Sequence, residues 1–209
     1  IQSLQPGDYL NITEDTYQCA VNVSSGADFV LDLNGHRLRS VAPFVGSEGT
    51  ETNALRIEKG SNVTIKNGTI DCIAPAVAIL IQNFGNLTLD NVTLKGKRTY
   101  QYLLSNNCGN IVLRNGTTIK GSANTVPFDV HYGLLPEYDD GVTVTIEDAS
   151  VVIEGNIEYT KEDRITDNNQ FYSKAHLYIP VGYEGVTAPA GYEFKLTEDG
   201  KQQELVATE

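Results

Sequence analysis

Methionine is absent from the sequence, which begins at Ile1, so the chain is expected to be a processed or excised piece of a longer product. Any leader or anchor would then have lain beyond its ends. Bases are scarce. Lys and Arg number 15 against 27 Asp and Glu, a net charge of −12 that opposes binding to nucleic acid or an anionic membrane. Long apolar runs are missing too. The longest, AVAILI from Ala76, is far below the roughly 20 residues a helix needs to span a bilayer, so a soluble piece with no membrane insertion is expected. The three cysteines, Cys19, Cys72 and Cys108, form no CxxC pair and cannot all pair with one another, so they say little about redox compartment.

What remains is ordinary for a globular protein. With 209 residues, 40% hydrophobic and 20% charged, the chain can bury a substantial core as one domain or one domain with an appendage, which argues against global disorder.

The sequence then repeats itself. SNVTIKNGTI from Ser61, GNLTLDNVTLKG from Gly85 and GNIVLRNGTTIKG from Gly109 are versions of one phrase. Three turns of 24 residues align without gaps from residues 54, 78 and 102. They put Leu55/Ile79/Leu103, Val63/Leu87/Ile111 and Ile65/Leu89/Leu113 at equivalent apolar positions. Val63-Thr64-Ile65 and Leu87-Thr88-Leu89 alternate with period two and read as strands. Two further turns fit with inserts. Leu31, Leu33 and Leu38 are expected where Val63, Ile65 and Ile70 sit, and Val144 and Ile146 where Ile111 and Leu113 sit, for about five coils in all.

Stacked parallel strands place like residues above one another every ~4.8 Å. Two such ladders are expected, Asn62/Asn86/Asn110 and Asn67/Asn91/Asn115, the second at corners where Asn tolerates left-handed backbone and Gly68 and Gly116 allow a tight bend. Lys66, Asp90 and Arg114 alternate in sign on a solvated face. Five of the seven Asn-x-Ser/Thr triplets, those at Asn62, Asn67, Asn86, Asn91 and Asn115, fall on the ladders, which favours a structural origin over selection as glycan acceptors. The other two are at Asn11 and Asn22.

The 24-residue coil, the apolar stacks, the Asn ladders and the phrase FVLDLNGHRL resemble the pectate-lyase-like right-handed parallel β-helix family over residues 20 to 155. The fold expected is therefore all-β: a right-handed parallel β-helix of one chain, with residues 1–19 as an N-terminal cap and 156–209 as an irregular coil, cap or β-hairpin module. A leucine-rich-repeat solenoid is the alternative. Phe84, Leu87, Leu89 and Leu94 would fit its pattern, but Gly68, Val92 and Gly116 hold its Asn position and nothing helical separates the strands.

The resemblance implies a secreted or cell-surface bacterial protein, with polysaccharide, surface glycan or protein as partner. Family lyases carry a Ca²⁺-binding carboxylate cluster with an Arg or Lys base, and family hydrolases carry paired Asp residues, on outward positions of neighbouring coils. The outward positions expected here, 56/80/104 and 64/88/112, hold Arg/Leu/Leu and Thr/Thr/Val. The alternative is the insert FDVHYGLLPEYDDG. It offers His131, Asp139 and Asp140 as catalytic candidates and Tyr132, Glu137 and Tyr138 as binding candidates, with Ca²⁺ near Glu137 to Asp140 left open. Asp-Asp there matches family polygalacturonases only as a dipeptide. The companion Asn-Thr-Asp, Gly-His-Gly and Arg-Ile-Lys motifs are missing, and Asp-Asp-Gly is also turn chemistry.

His36 reads as a corner residue, and Cys72 and Cys108 as small buried hydrophobes. The inserts Val41 to Asn53 and Ser122 to Asp140 are expected at the same phase of the coil, flanking a groove. Seven of the eleven tyrosines lie after residue 130 and could stack on sugars or partners, or pack a cap. The reading favoured is a non-catalytic module for adhesion or for carbohydrate or partner binding, with no dedicated cofactor or metal. A polysaccharide lyase or glycoside hydrolase is the alternative, and a purely structural fragment the third.

Overall fold

The computed structural model describes residues 5–42, 52–74, 77–96, 101–106, 109–122, 124–131, 141–160 and 175–208. Among the described residues there are strands and no helix. Parallel pairing sorts the strands into three tracks. The first holds β1 (Asp8–Asn11), β4 (Asp28–Asp32), the leading halves of β7 (Asn62–Cys72) and β9 (Asn86–Gly96), β11 (Gly109–Arg114), β14 (Val142–Ile146) and β17 (Ala175–Pro180). The second holds β2 (Thr16–Cys19), β5 (Arg37–Ala42), the trailing halves of β7 and β9, β12 (Thr118–Lys120) and β15 (Val152–Glu154). The third holds β3 (Val21–Val23), β6 (Asn53–Ile57), β8 (Ile79–Asn83), β10 (Tyr102–Asn106), β13 (Val126–His131) and β16 (Glu158–Thr160). β7 and β9 run through a corner and join the first two tracks into one sheet, while the third is a separate six-stranded sheet.

The alternation read in the sequence sets which side chains face inward. Val63, Ile65, Leu87, Leu89, Ile111, Leu113, Val144 and Ile146 are buried, with half-buried Thr64, Thr88, Val112 and Thr145 between them on the other face. Val63 pairs with Leu87 and Leu87 with Ile111; Ile65 follows Leu89 and Leu113 in the same way. Val144 and Ile146 meet Ile111 and Leu113 as expected.

Elsewhere the register departs from the gapless alignment. Leu55 pairs with Ile81 rather than Ile79, Ile81 with Leu104, and Leu104 with Phe128. The cause is corner length: four residues separate β6 from β7, and two separate β8 from β9. In the first coil Phe29 pairs with Val63 and Leu31 with Ile65, so Leu31 and Leu33 stand two places from their expected positions, while Leu38 does meet Ile70. Leu33 is fully buried in the turn between β4 and β5.

The ladders hold the coils to one another. Asn110 donates to Asn86 Oδ1 at 2.8 Å and Asn86 to Asn62 Oδ1 at 2.7 Å. At the corner, Asn34, Asn67, Asn91 and Asn115 all have positive φ, between 49° and 57°, a conformation most L-residues adopt only at a cost of roughly 1–2 kcal/mol. Asn91 donates to Asn67 Oδ1 at 3.2 Å, whereas Asn115 turns its amide to Asp90 Oδ1 at 2.8 Å. Gly116 bends with φ of 78°. Gly68 is needed for close approach, since a Cβ there would lie 2.4 Å from the His36 carbonyl oxygen. A third amide pair was not foreseen: buried Asn83 donates to Asn106 Oδ1 at 2.9 Å. Its spacing of 23 residues slips past a search at 24.

Of the alternating charges, Asp90 and Arg114 pair as expected, and Lys66 and Arg114 also pair with acids outside the three-residue row. Lys66 Nζ lies 3.6 Å from Asp32, and Arg114 lies 2.9 Å from Asp90 and 3.6 Å from Glu147. At the far end, β18 (Tyr192–Leu196) and β19 (Gln202–Ala207) form an antiparallel hairpin on β17. Tyr183 Oη donates to the Val151 carbonyl at 2.9 Å, and Tyr159 meets Tyr192 edge-on at 5.0 Å, so these tail tyrosines pack the cap.

Leu89 has no exposed surface, so Leu89→Ala is expected to cost about 2–5 kcal/mol in urea unfolding, against under ~1 kcal/mol for the outward-facing Thr88→Ala. At the corner, Asn91→Gly should retain about 1–2 kcal/mol that Asn91→Ala loses, because glycine keeps the left-handed backbone.

Candidate functional site

The outward side of the third track is where chemistry-bearing residues converge. Pairing aligns Arg56 with Gln82, Gln82 with Ser105, and Asp129 with Glu158, and Leu104↔Phe128 brings Ser105 level with Asp129. This row replaces the expected 56/80/104 set, because the same register slip that moved Leu55 moves its neighbours. Leu80 and Leu104 are fully buried, on opposite faces of the sheet.

Asp129 is the unusual member. It sits in β13 between the core residues Phe128 and Val130 and is itself buried. Its Oδ1 accepts the Asn106 backbone N–H at 2.7 Å and its Oδ2 accepts the Ser105 hydroxyl at 3.3 Å. Burial pushes its carboxyl up to about 7 from the ordinary 3.8; the two hydrogen bonds oppose the rise and the Glu158 charge adds to it. Glu158 is exposed and accepts the Tyr102 hydroxyl at 2.6 Å. Arg56 holds Glu58 at 2.9 Å and lies 5.0 Å over the Phe84 ring. A buried carboxyl that can stay neutral near pH 7 beside an exposed carboxylate is an arrangement able to donate and accept a proton.

Of the sequence candidates, His131 ends β13, half-buried and on the same face of the strand as Asp129. Tyr132, Glu137, Tyr138, Asp139 and Asp140 lie outside the described residues. The two inserts do not share a phase: the first joins β5 of the second track to β6 of the third, and the second joins β13 of the third track to β14 of the first. They therefore attach to the two opposite sides of the third track. The sequence Phe-Asp-Val-His carried the signal for Asp129, an acid alternating with apolar residues. The insert expected over residues 122–140 hides it, because residues 126–131 are a strand.

His36 is a corner residue, with Nδ1 3.8 Å from Asp15. Cys72 is buried, which pushes its thiol up; Cys19 is exposed, and Cys108 lies outside the described residues. Among the described residues no three His, Cys, Asp or Glu side chains gather in a way that could hold a metal ion. Among the described residues no helix is long and apolar enough to cross a membrane.

Because the folded-state pKa of Asp129 lies above its unfolded value, the folded chain binds the extra proton between about 3.8 and about 7. Its contribution to stability is complete below 3.8 and is lost as pH rises through about 7. Urea unfolding across that range should show stability falling with pH at this group, and Asp129→Asn should flatten the slope.

The chain matches no protein-family model, no curated protein and no solved structure.

Proposed function

We propose that the chain is a right-handed parallel β-helix of the pectate-lyase-like kind, and that it serves a secreted or cell-surface bacterial protein as a non-catalytic module binding an extended carbohydrate or a protein partner. The three-track path supports the helix, since parallel crossovers are right-handed in about 98% of cases. The second parallel sheet weighs against a leucine-rich repeat, which backs a single sheet with helical or 3₁₀ segments.

One observation carries the module reading. The outward polar residues of the first track are bonded to one another from coil to coil, through Asn62–Asn86–Asn110 and through Asp32–Lys66 and Asp90–Arg114–Glu147. Such a face is stiff and evenly spaced, with half-buried Thr64 and Thr88 beside the amides, and suits contact with a long partner better than chemistry on a single bond.

A second reading, polysaccharide lyase or glycoside hydrolase, is favoured by Asp129, whose buried carboxyl beside Glu158 has the character of a general acid. The two are separated by incubation with neutral and acidic polysaccharides, with and without Ca²⁺, following bound glycan, new reducing ends and unsaturated uronate absorbance. Saturable binding without turnover is expected. Turnover lost in Asp129→Asn, or in Asp139→Asn with Asp140→Asn, would replace the module reading with the enzymatic one.

A further inference from the structure

The outward rows of the first track do not end as they begin. One row runs Asn62, Asn86, Asn110, Thr143 and His176, and the row beside it runs Thr64, Thr88, Val112, Thr145 and Tyr178, each in register from strand to strand. Four strand steps of ~4.8 Å separate β7 from β17, about 19 Å in all. Amides and hydroxyls line most of that length, and two rings close it. β17 lies inside the sheet, with β14 on one side and β19 on the other, so the rings stand on a continuous face and not at a bare edge.

The rings are held in a fixed pose. The planes of His176 and Tyr178 are 8° apart, with centroids at 5.8 Å. Glu204 faces Tyr178 across the β17–β19 pair and lies 2.7 Å from His176 Nδ1. A carboxylate only accepts, so Nδ1 carries the proton and, in the neutral ring, Nε2 is left as an acceptor. Core packing does not account for the pair. The His176 side chain is 39% exposed and Tyr178 is half-buried, while Ala175, Leu177 and Ile179 between and beside them fill the core from the other face.

Charge and chemistry say what this face would take. The two rows hold no Asp, Glu, Lys or Arg, and the neighbouring charges are paired among themselves, Asp32 with Lys66 and Arg114 with Asp90 and Glu147. A polyanion would meet Glu204 beside the rings on a chain of net charge −12. A polypeptide strand could not add here, because β17 already pairs on both sides. A neutral sugar chain matches both parts of the face: its hydroxyls suit the Asn amides and Thr hydroxyls, and the C–H face of a pyranose suits the rings.

We propose that His176 and Tyr178 are the stacking anchor of a binding site for a neutral polysaccharide, whose chain runs from the rings along the Thr and Asn rows of the first track. One sugar lies against the exposed surface of the ring pair, with hydroxyls reaching His176 Nε2 and Glu204, and the sugars that follow meet Thr145, Thr143 and Asn110. This site rests on the binding-module reading above and gives it a ligand class and an anchor.

The test titrates the full chain with hexasaccharides of β-glucan, xylan, mannan and N-acetylated chitin, and with hexagalacturonate as the acidic counterpart. Binding, new reducing ends and NOE contacts to the protein are followed together. At least one neutral hexasaccharide should bind saturably, more tightly than hexagalacturonate, with contacts from sugar protons to the His176 and Tyr178 rings. Tyr178→Ala should weaken that binding about tenfold, whereas Tyr178→Phe, which keeps the ring, should bind as the natural chain does. The ring contacts are read on the unsubstituted chain and so do not depend on how Tyr178→Ala folds. Unchanged binding by Tyr178→Ala, or contacts centred on another face, would overturn the proposal and leave the module reading in place. Preference for hexagalacturonate, or no saturable binding by any neutral member, would also overturn it and leave the module reading to an acidic glycan or a protein partner. Release of new reducing ends would overturn the module reading and this site together, which tells the two failures apart.

Discussion

The pairing of β7 with β9 is the contact on which the rest of the molecule depends. It runs through both tracks of the larger sheet and carries Val63 onto Leu87, Ile65 onto Leu89 and Ile70 onto Leu94 without a break. A single coil of this length has no interior of its own. Its apolar side chains are removed from water only when the coil above and the coil below are in register, so register and burial are one constraint. The asparagines hold that register where hydrophobic contact cannot. A slip by one residue would take Asn86 off Asn62 and turn Leu87 and Leu89 outward. The left-handed corner at Asn67, Asn91 and Asn115 then lets the chain leave one track and enter the next in the same way each time.

How much of this was legible in the sequence follows from how the chain varies. Where coils are equal in length, as from Asn62 to Gly96 and on to Arg114, counting by 24 found the strands, the inward rows, both ladders and the charge row. Where corners change length, counting failed. The segment from β6 to β7 is longer than that from β8 to β9, so the third track carries its own offsets, and the pairs Leu55–Ile81 and Asn83–Asn106 stayed hidden. That offset is also why the outward row was assigned to Leu80 and Leu104 instead of Gln82 and Ser105. Asp129 was obscured for a related reason: its strand lies inside a stretch that looked like an insertion, and burial of a carboxylate is set by what packs over it, which no local pattern records.

The same architecture separates two kinds of surface. On the first track the polar side chains satisfy one another and leave an even, stiff face, which is the basis for reading the protein as a binding module. On the third track a carboxyl is buried in β13, with a second carboxylate one coil away at its edge. Burial of Asp129 costs stability at neutral pH, and the hydrogen bonds from Asn106 and Ser105 offset only part of that cost. A scaffold needs no such group, which is why the third track, rather than the regular first one, is where chemistry would be found if the protein performs any.

The account stands on coils stacked in register through side-chain amides, and this can be observed directly. In ¹⁵N-edited NOE spectra of the intact chain, the side-chain amide of Asn86 should show contacts to those of both Asn62 and Asn110, with backbone contacts from Leu87 to Val63 and Ile111. That pattern would establish the ladder and the register together. Contacts from Asn86 to neither, or from Leu87 to residues one place removed on either side, would contradict the stacked coil and every assignment of inward and outward rows that follows from it.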